Sequence, residues 1–451
     1  MLIKDAEIDG KIFDVRVTDK TITQIETSLS AQHDETIINA NGHALLVGLH
    51  DHHIHLNAQA AALQSVPCGP PEITHEEALI NQLHSAANSG LKEIRGIGYH
   101  DSVAGEIDRD WLDKYGPDMP VRVQHRSGRL WICNSAALAQ LQKTSSQNGR
   151  LYDSDLSIRH RDDKTPPDLR PLIQLLLSYG ITGVTEVTPQ NNNEDFKHLA
   201  QSAAPLKLRI MGKHELDKKR QTSLAQIGQV KFHYHDDNLP PLAQLVDEIK
   251  QAHIEGRGIA AHCVTHAELF LILAAIEEAG PHPQDRIEHA ALTNEDTLAW
   301  IKKLGIGVVT QPDFIRARGA AYEKDVAPED HPYLWRLRSF YQAGIPLAAG
   351  SDAPFGELNP WQGIASATQR PDFVETHRNE TLTPEQALGL YQKQSDHIAK
   401  QHHLTEGVTA DMCLLAQNWQ ASCTDLANTK IDYTFIDGKI VYTSASTNPH
   451  S

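Results

Sequence analysis

The spacing of apolar and polar positions divides the chain into three stretches. In the first forty or so residues the two kinds alternate in short runs. Ala6-Glu7-Ile8 and Ile12-Phe13-Asp14-Val15 flank Asp9-Gly10, which predicts a tight hairpin. The same signature returns near the end, where Tyr433-Thr434-Phe435-Ile436 and Lys439-Ile440-Val441-Tyr442 flank Asp437-Gly438. These two β-rich stretches, residues 1–44 and 405–451, predict one small β-sandwich module built from both ends. Between them, from 45 to 404, buried strands alternate with helices. Gly258-Ile259-Ala260-Ala261-His262 reads as a strand, His266 to Ala279 as a helix with Gly280 as its cap, and Arg286-Ile287-Glu288-His289 as the next strand. Asn294 caps a helix that Gly305 stops, and Thr383-Pro384-Glu385-Gln386 opens another with a capping box.

Strands that alternate with helices make a parallel sheet. Eight candidate strands begin near Leu45, Ile181, Leu206, Gln229, Gly258, Arg286, Ile306 and Ile345. That count predicts an α/β fold, a (β/α)8 TIM-like barrel. The stretch from about 91 to 179 is too long for one βα unit and reads as an insertion with its own strand, Val121 to His125. The polar, proline-containing stretch 153–168 reads as a loop.

Composition narrows the class. A mean hydropathy of -0.42 and the absence of a long apolar run fit a soluble protein, and the acidic N-terminus does not resemble a signal peptide. A formal charge of -17 argues against nucleic acid or an anionic membrane as a partner. Five scattered cysteines, none in a C-x-x-C pair, fit a reducing cytoplasm. The expected partner is a small-molecule substrate, and a homo-oligomer is compatible with these features.

Histidine is the unusual residue, with 26 in 451 positions. The apolar run at Val47-Gly48-Leu49 ends in His50-Asp51-His52-His53-Ile54-His55. Side chains two apart on a strand share a face, so His53 and His55 converge at a strand end, with Asp51 below them. Downstream strands carry Lys231, His262, His289 and Asp352 in matching places. Strand ends of a barrel meet at one face, where imidazoles and a carboxylate can hold a divalent metal, Zn2+ before others. His50 and His52 fall on the opposite strand face, as packing or supporting groups. Glu288 is expected to point away from the site and pair with Arg286. Glu186, ending the second strand, is a further candidate ligand or supporting group. Gln311, Arg316 and Arg318 after the seventh strand, and His100, His125, Arg126 and Arg129 in the insertion, are candidate pocket residues. Gln311, Arg318, His125 and Arg129 are the preferred substrate contacts.

With these residues in place, the chain resembles the amidohydrolase superfamily of metal-dependent barrel hydrolases. Arg126-Ser127-Gly128-Arg129-Leu130-Trp131-Ile132-Cys133-Asn134-Ser135 resembles the branch that includes N-substituted formamide deformylase, with Arg129 where that branch more often has histidine. The first strand also departs, with Val47 for the usual proline and His50 for an aliphatic residue. The resemblance implies one or two divalent ions on His53, His55, His262, His289 and Asp352. It further implies a CO2-derived carbamate on Lys231 bridging them, with Glu186 as the alternative bridge. The implied reaction is hydrolysis of a carbon–nitrogen bond, amide or N-acyl, with Asp352 as general base. A one-metal heterocycle deaminase calling on His266, and a non-catalytic barrel scaffold, are the alternatives.

Overall fold

In the computed structural model, residues 1–70, 72–142, 148–152, 166–370 and 379–445 are described. Most of the expected 153–168 loop lies outside them. Eight parallel strands form one sheet in sequence order: β1 (Leu49–Ile54), β2 (Ile181–Glu186), β3 (Lys207–Gly212), β4 (Ala225–Phe232), β5 (Ile259–Cys263), β6 (Arg286–His289), β7 (Gly307–Thr310) and β8 (Leu347–Ala349). All are buried along nearly their whole length, as expected of a barrel wall covered by helices. The helices start where the sequence places their caps. Thr265 and Glu268 form a reciprocal capping box on His266–Ala279, as do Thr383 and Gln386 on Pro384–Gly389.

β8 and β1 close the sheet through loop atoms. Asp352 N donates to His53 O at 2.7 Å and His55 N to Ala353 O at 3.0 Å. The buried Asp51 carboxylate spans the same seam, with Oδ1 accepting from both His53 N and Ser351 N at 3.0 Å. Gly48 matters here because a Cβ at that position would sit 2.2 Å from the Thr182 side chain. The first candidate strand divides at this glycine. Leu45–Val47 leaves the barrel and pairs with Met412–Leu415, and the barrel strand proper begins at Leu49.

The two chain ends form two four-stranded sheets. One holds Leu2–Ile8, Lys11–Thr18, Thr21–Glu26 and Ile37–Asn39. The other holds Leu45–Val47, Met412–Leu415, Ile431–Ile436 and Lys439–Thr443. They share a core in which Ile3, Val15 and Ile22 pack with Leu45, Met412 and Phe435. Lys207, at the start of β3, is ion-paired to Asp411 and, at 2.9 Å, to Asp437.

Leu56–Leu169 forms a separate compact unit. Its five-stranded sheet runs in the order Arg150–Tyr152, Leu130–Cys133, Val121–His125, Ile94–Tyr99, Val66–Pro67. This unit begins well before the expected 91 and ends before the expected 179. The helix Glu76–Ala87, which has the spacing of a barrel helix, buries Leu79 and Leu83 in this unit's own core with Ile94 and Val121. The helix Arg170–Ser178 packs instead on β2, through the buried face of Leu172, Ile173, Leu176 and Leu177.

Because both ends contribute to one core, loss of a single large side chain there should loosen both. Phe435→Ala should lower unfolding stability by about 3–5 kcal/mol, read from the denaturant midpoint. A loss below about 1 kcal/mol would show that the shared core does not hold the two ends together.

Candidate metal centre

The candidate ligands converge at the carboxyl ends of the strands. Asp352 Oδ1 lies 3.2 Å from His53 Nε2 and 3.4 Å from His55 Nε2. The rings of His53 and His289 are 4.8 Å apart, and those of His289 and His262 4.6 Å. Lys231 is buried in β4, and its Nζ has no hydrogen-bond partner. Burial first, and then Arg286, lower the pKa of this amine.

Each of three imidazoles is held from behind. His53 Nδ1–H donates to Glu288 Oε2 at 2.5 Å, and His289 Nδ1–H donates to Gln311 Oε1 at 2.7 Å. His55 Nδ1 is paired with Thr188 Oγ1 at 3.0 Å. These bonds turn Nε2 of His53 and His55 toward Asp352 and leave Nε2 of His289 uncommitted. Burial opposes ionisation of Asp352, but His53 and His55 outweigh it and hold the carboxyl well below its usual range.

Glu288 corrects the sequence reading. It pairs with Arg286 at 2.6 Å as expected, but it points into the barrel and not away from it. Strict alternation would then turn His289 outward. It does not, because His289 adopts a left-handed backbone with φ 70°, which brings its ring back to the centre. Asp352 uses the same device, with φ 54°.

His233 and His235 have no counterpart in the sequence reading. They continue the Lys231 face of β4 at the same two-residue spacing that marked His53 and His55. Their rings are 4.7 Å apart, and the His233 ring is 4.4 Å from that of His262. One donor atom from each of His233, His235 and His262 falls within 4.8 Å of the others. The same holds for His53, His289 and Asp352.

The other candidates sit further out. Glu186 accepts from Thr188 N at 2.9 Å and from Asn191 Nδ2 at 3.2 Å, so it braces the loop that holds His55. Gln311 acts on His289, as described. Arg318 donates to Phe355 O and stacks over Phe314 at 4.1 Å. Arg316 is ion-paired with Asp313 at 2.6 Å. His50 is bonded to Thr185 Oγ1 at 2.9 Å, and His52 is fully buried. His266 turns to Asp330 at 3.0 Å. His125 and Arg129 belong to the separate unit, where His125 Nδ1 pairs with Ser127 Oγ at 2.9 Å.

The donor set fits a divalent ion. Ligand atoms in a tetrahedral zinc shell of ~2.0–2.1 Å radius lie ~3.3 Å from each other, and the Nε2–Oδ1 separations of 3.2 and 3.4 Å match that spacing. An imidazole lone pair facing a carboxylate oxygen at this range repels it unless a proton or a cation lies between them.

Comparison with known proteins gives the family of the chain and relatives of its fold. The sequence model of the amidohydrolase family matches residues 36–442. The N-substituted formamide deformylase of Arthrobacter pascens is 22% identical, covering 93% of this chain and 92% of its own. Among solved structures, an uncharacterized metal-dependent hydrolase from Pyrococcus horikoshii superimposes with a TM-score of 0.74 at 19% identity, covering 92% of this chain and 96% of its own. One from Pyrococcus furiosus gives 0.72 at 20%, covering 92% and 97%. No helix among the described residues is long and apolar enough to cross a membrane.

The bond behind His53 sets a measurable expectation. Glu288→Gln keeps the shape but removes the charge, and zinc affinity should fall about 10–100-fold. Competition with a chelator measures this, and an unchanged affinity would show that Glu288 does not orient His53.

Proposed function

The chain belongs to the amidohydrolase family and is a metal-dependent hydrolase of carbon–nitrogen bonds other than peptide bonds, and on this premise we propose that it cleaves an amide or N-acyl bond of a small molecule. The observation that carries the reading is the convergence of Asp352 with His53 and His55. In this reading His53, His55, His289 and Asp352 hold the ion, with His262 and Lys231 beside them. The ion, zinc in this proposal, supplies Lewis acidity, which lowers the pKa of water and polarises a carbonyl.

The residues do the rest. Glu288, Thr188 and Gln311 fix the imidazoles, so little reorganisation is needed during reaction. Asp352, ionised in its cluster, takes the proton from the attacking water as oxygen adds to the substrate carbonyl. It then returns that proton to the nitrogen as the carbon–nitrogen bond breaks. Lys231 enters as a carbamate, formed by addition of CO2 to its amine. Burial favours the neutral amine that this step needs, against the opposing pull of Glu288, and Nζ has no hydrogen-bond partner. Arg318, anchored beside Phe355, is the proposed contact for a polar part of the substrate. The deaminase alternative is weakened because His266 is engaged by Asp330. The intact donor set speaks against a non-catalytic scaffold. None of the five cysteines forms a disulfide among the described residues and four are buried, in keeping with a cytoplasmic protein.

Two variants test the roles. Asp352→Asn should retain its fold and much of its metal while kcat on N-acyl substrates falls about 10²–10⁴-fold. A loss under about tenfold would remove Asp352 as the base. Lys231→Ala should lose metal and activity together. If it keeps full metal content and near-normal turnover, the carbamate is not needed and Glu186 or a one-metal centre replaces it.

A further inference from the structure

Lys231, His233 and His235 lie on one strand face that runs past the end of β4 toward His262 on β5. The His235 and His262 rings are 5.6 Å apart, closing a triangle with His233. Among the described residues, the rings of His233 and His262 make no hydrogen bond to another side chain or to the backbone, so their nitrogen lone pairs are available. His235 has a carboxylate behind it. Glu268 Oε2 is spent on Val264 N at 2.7 Å, and Oε1 is left 4.0 Å from His235 Nδ1.

The three rings are not part of the His53–His289–Asp352 group, whose donor atoms cluster separately. His262 therefore stands between two groups and is the natural border between two ions. We infer that His233, His235 and His262 form a second transition-metal site, held by three imidazoles and not dependent on modification of Lys231. The inference rests on the proposed hydrolase reading only for the first ion. An all-imidazole set suits Zn2+, Cu2+ or Ni2+ and not Mg2+ or Ca2+, which take oxygen ligands.

The test is zinc stoichiometry on chelator-stripped full-length protein, by calorimetric titration and elemental analysis. The double variant His233→Gln/His235→Gln should bind about one zinc fewer per chain than wild type with unchanged circular dichroism, whereas an unchanged count overturns the inference. His53→Gln/His55→Gln should still bind about one zinc, and binding of none overturns it. In wild type, zinc should slow diethylpyrocarbonate modification of His233 and His235, mapped by mass spectrometry, and equal rates with and without zinc overturn the site without recourse to any variant. Absence of turnover on amide and N-acyl substrates, with these zinc results intact, would remove the proposed amide or N-acyl reading and leave the three-imidazole site standing.

Discussion

The seam between β8 and β1 is the constraint on which the centre depends. Seven strand pairs join consecutive strands of the barrel, but this closing seam joins residue 51 to residue 351. It is held by one buried carboxylate and two backbone bonds. Only when the seam is closed does Asp352 reach His53 and His55. A carboxylate that accepts two backbone N–H groups is well suited to this work, because it satisfies donors that a short edge would otherwise leave bare. The contacts that close the barrel are therefore the same ones that bring the centre together.

Much of this was legible in the chain. Strand positions follow from short apolar runs bounded by glycine, and helix starts from Asn294 and Thr383, because caps and buried strands are local decisions. The alternation that pairs His53 with His55 also puts Lys231, His233 and His235 on one face, a signal carried by the run Lys231-Phe232-His233-Tyr234-His235. What alternation could not reach was the orientation of Glu288 and His289. Their common direction depends on a backbone reversal at a non-glycine residue, which carries no compositional mark. The extent of the Leu56–Leu169 unit was hidden for a different reason. A helix that packs on a small sheet and one that packs on a barrel have the same period, and only the partner differs.

Behind the ligands lies a second layer built from several elements. Arg286 opens β6, pairs with Glu288 and donates to His52 O at 2.9 Å, so a single guanidinium ties β6 to β1 and keeps Glu288 ionised beneath His53. Burial raises the cost of that charge, and its neighbours, Arg286 foremost, more than offset it. The same interior thus contains opposed charges in a chain, each made tolerable by the next.

The left-handed backbones at His289 and Asp352 narrow what these positions can become. Asn, Asp and His enter that region at lower cost than other side chains, and glycine enters freely. Neutral drift at either position therefore has a short list of destinations. Most of the list, Asn and Gly, preserves the chain path while discarding the imidazole or the carboxylate charge. Lineages of this barrel that abandon the centre would be expected to keep its shape, with asparagine or glycine as the residue left behind.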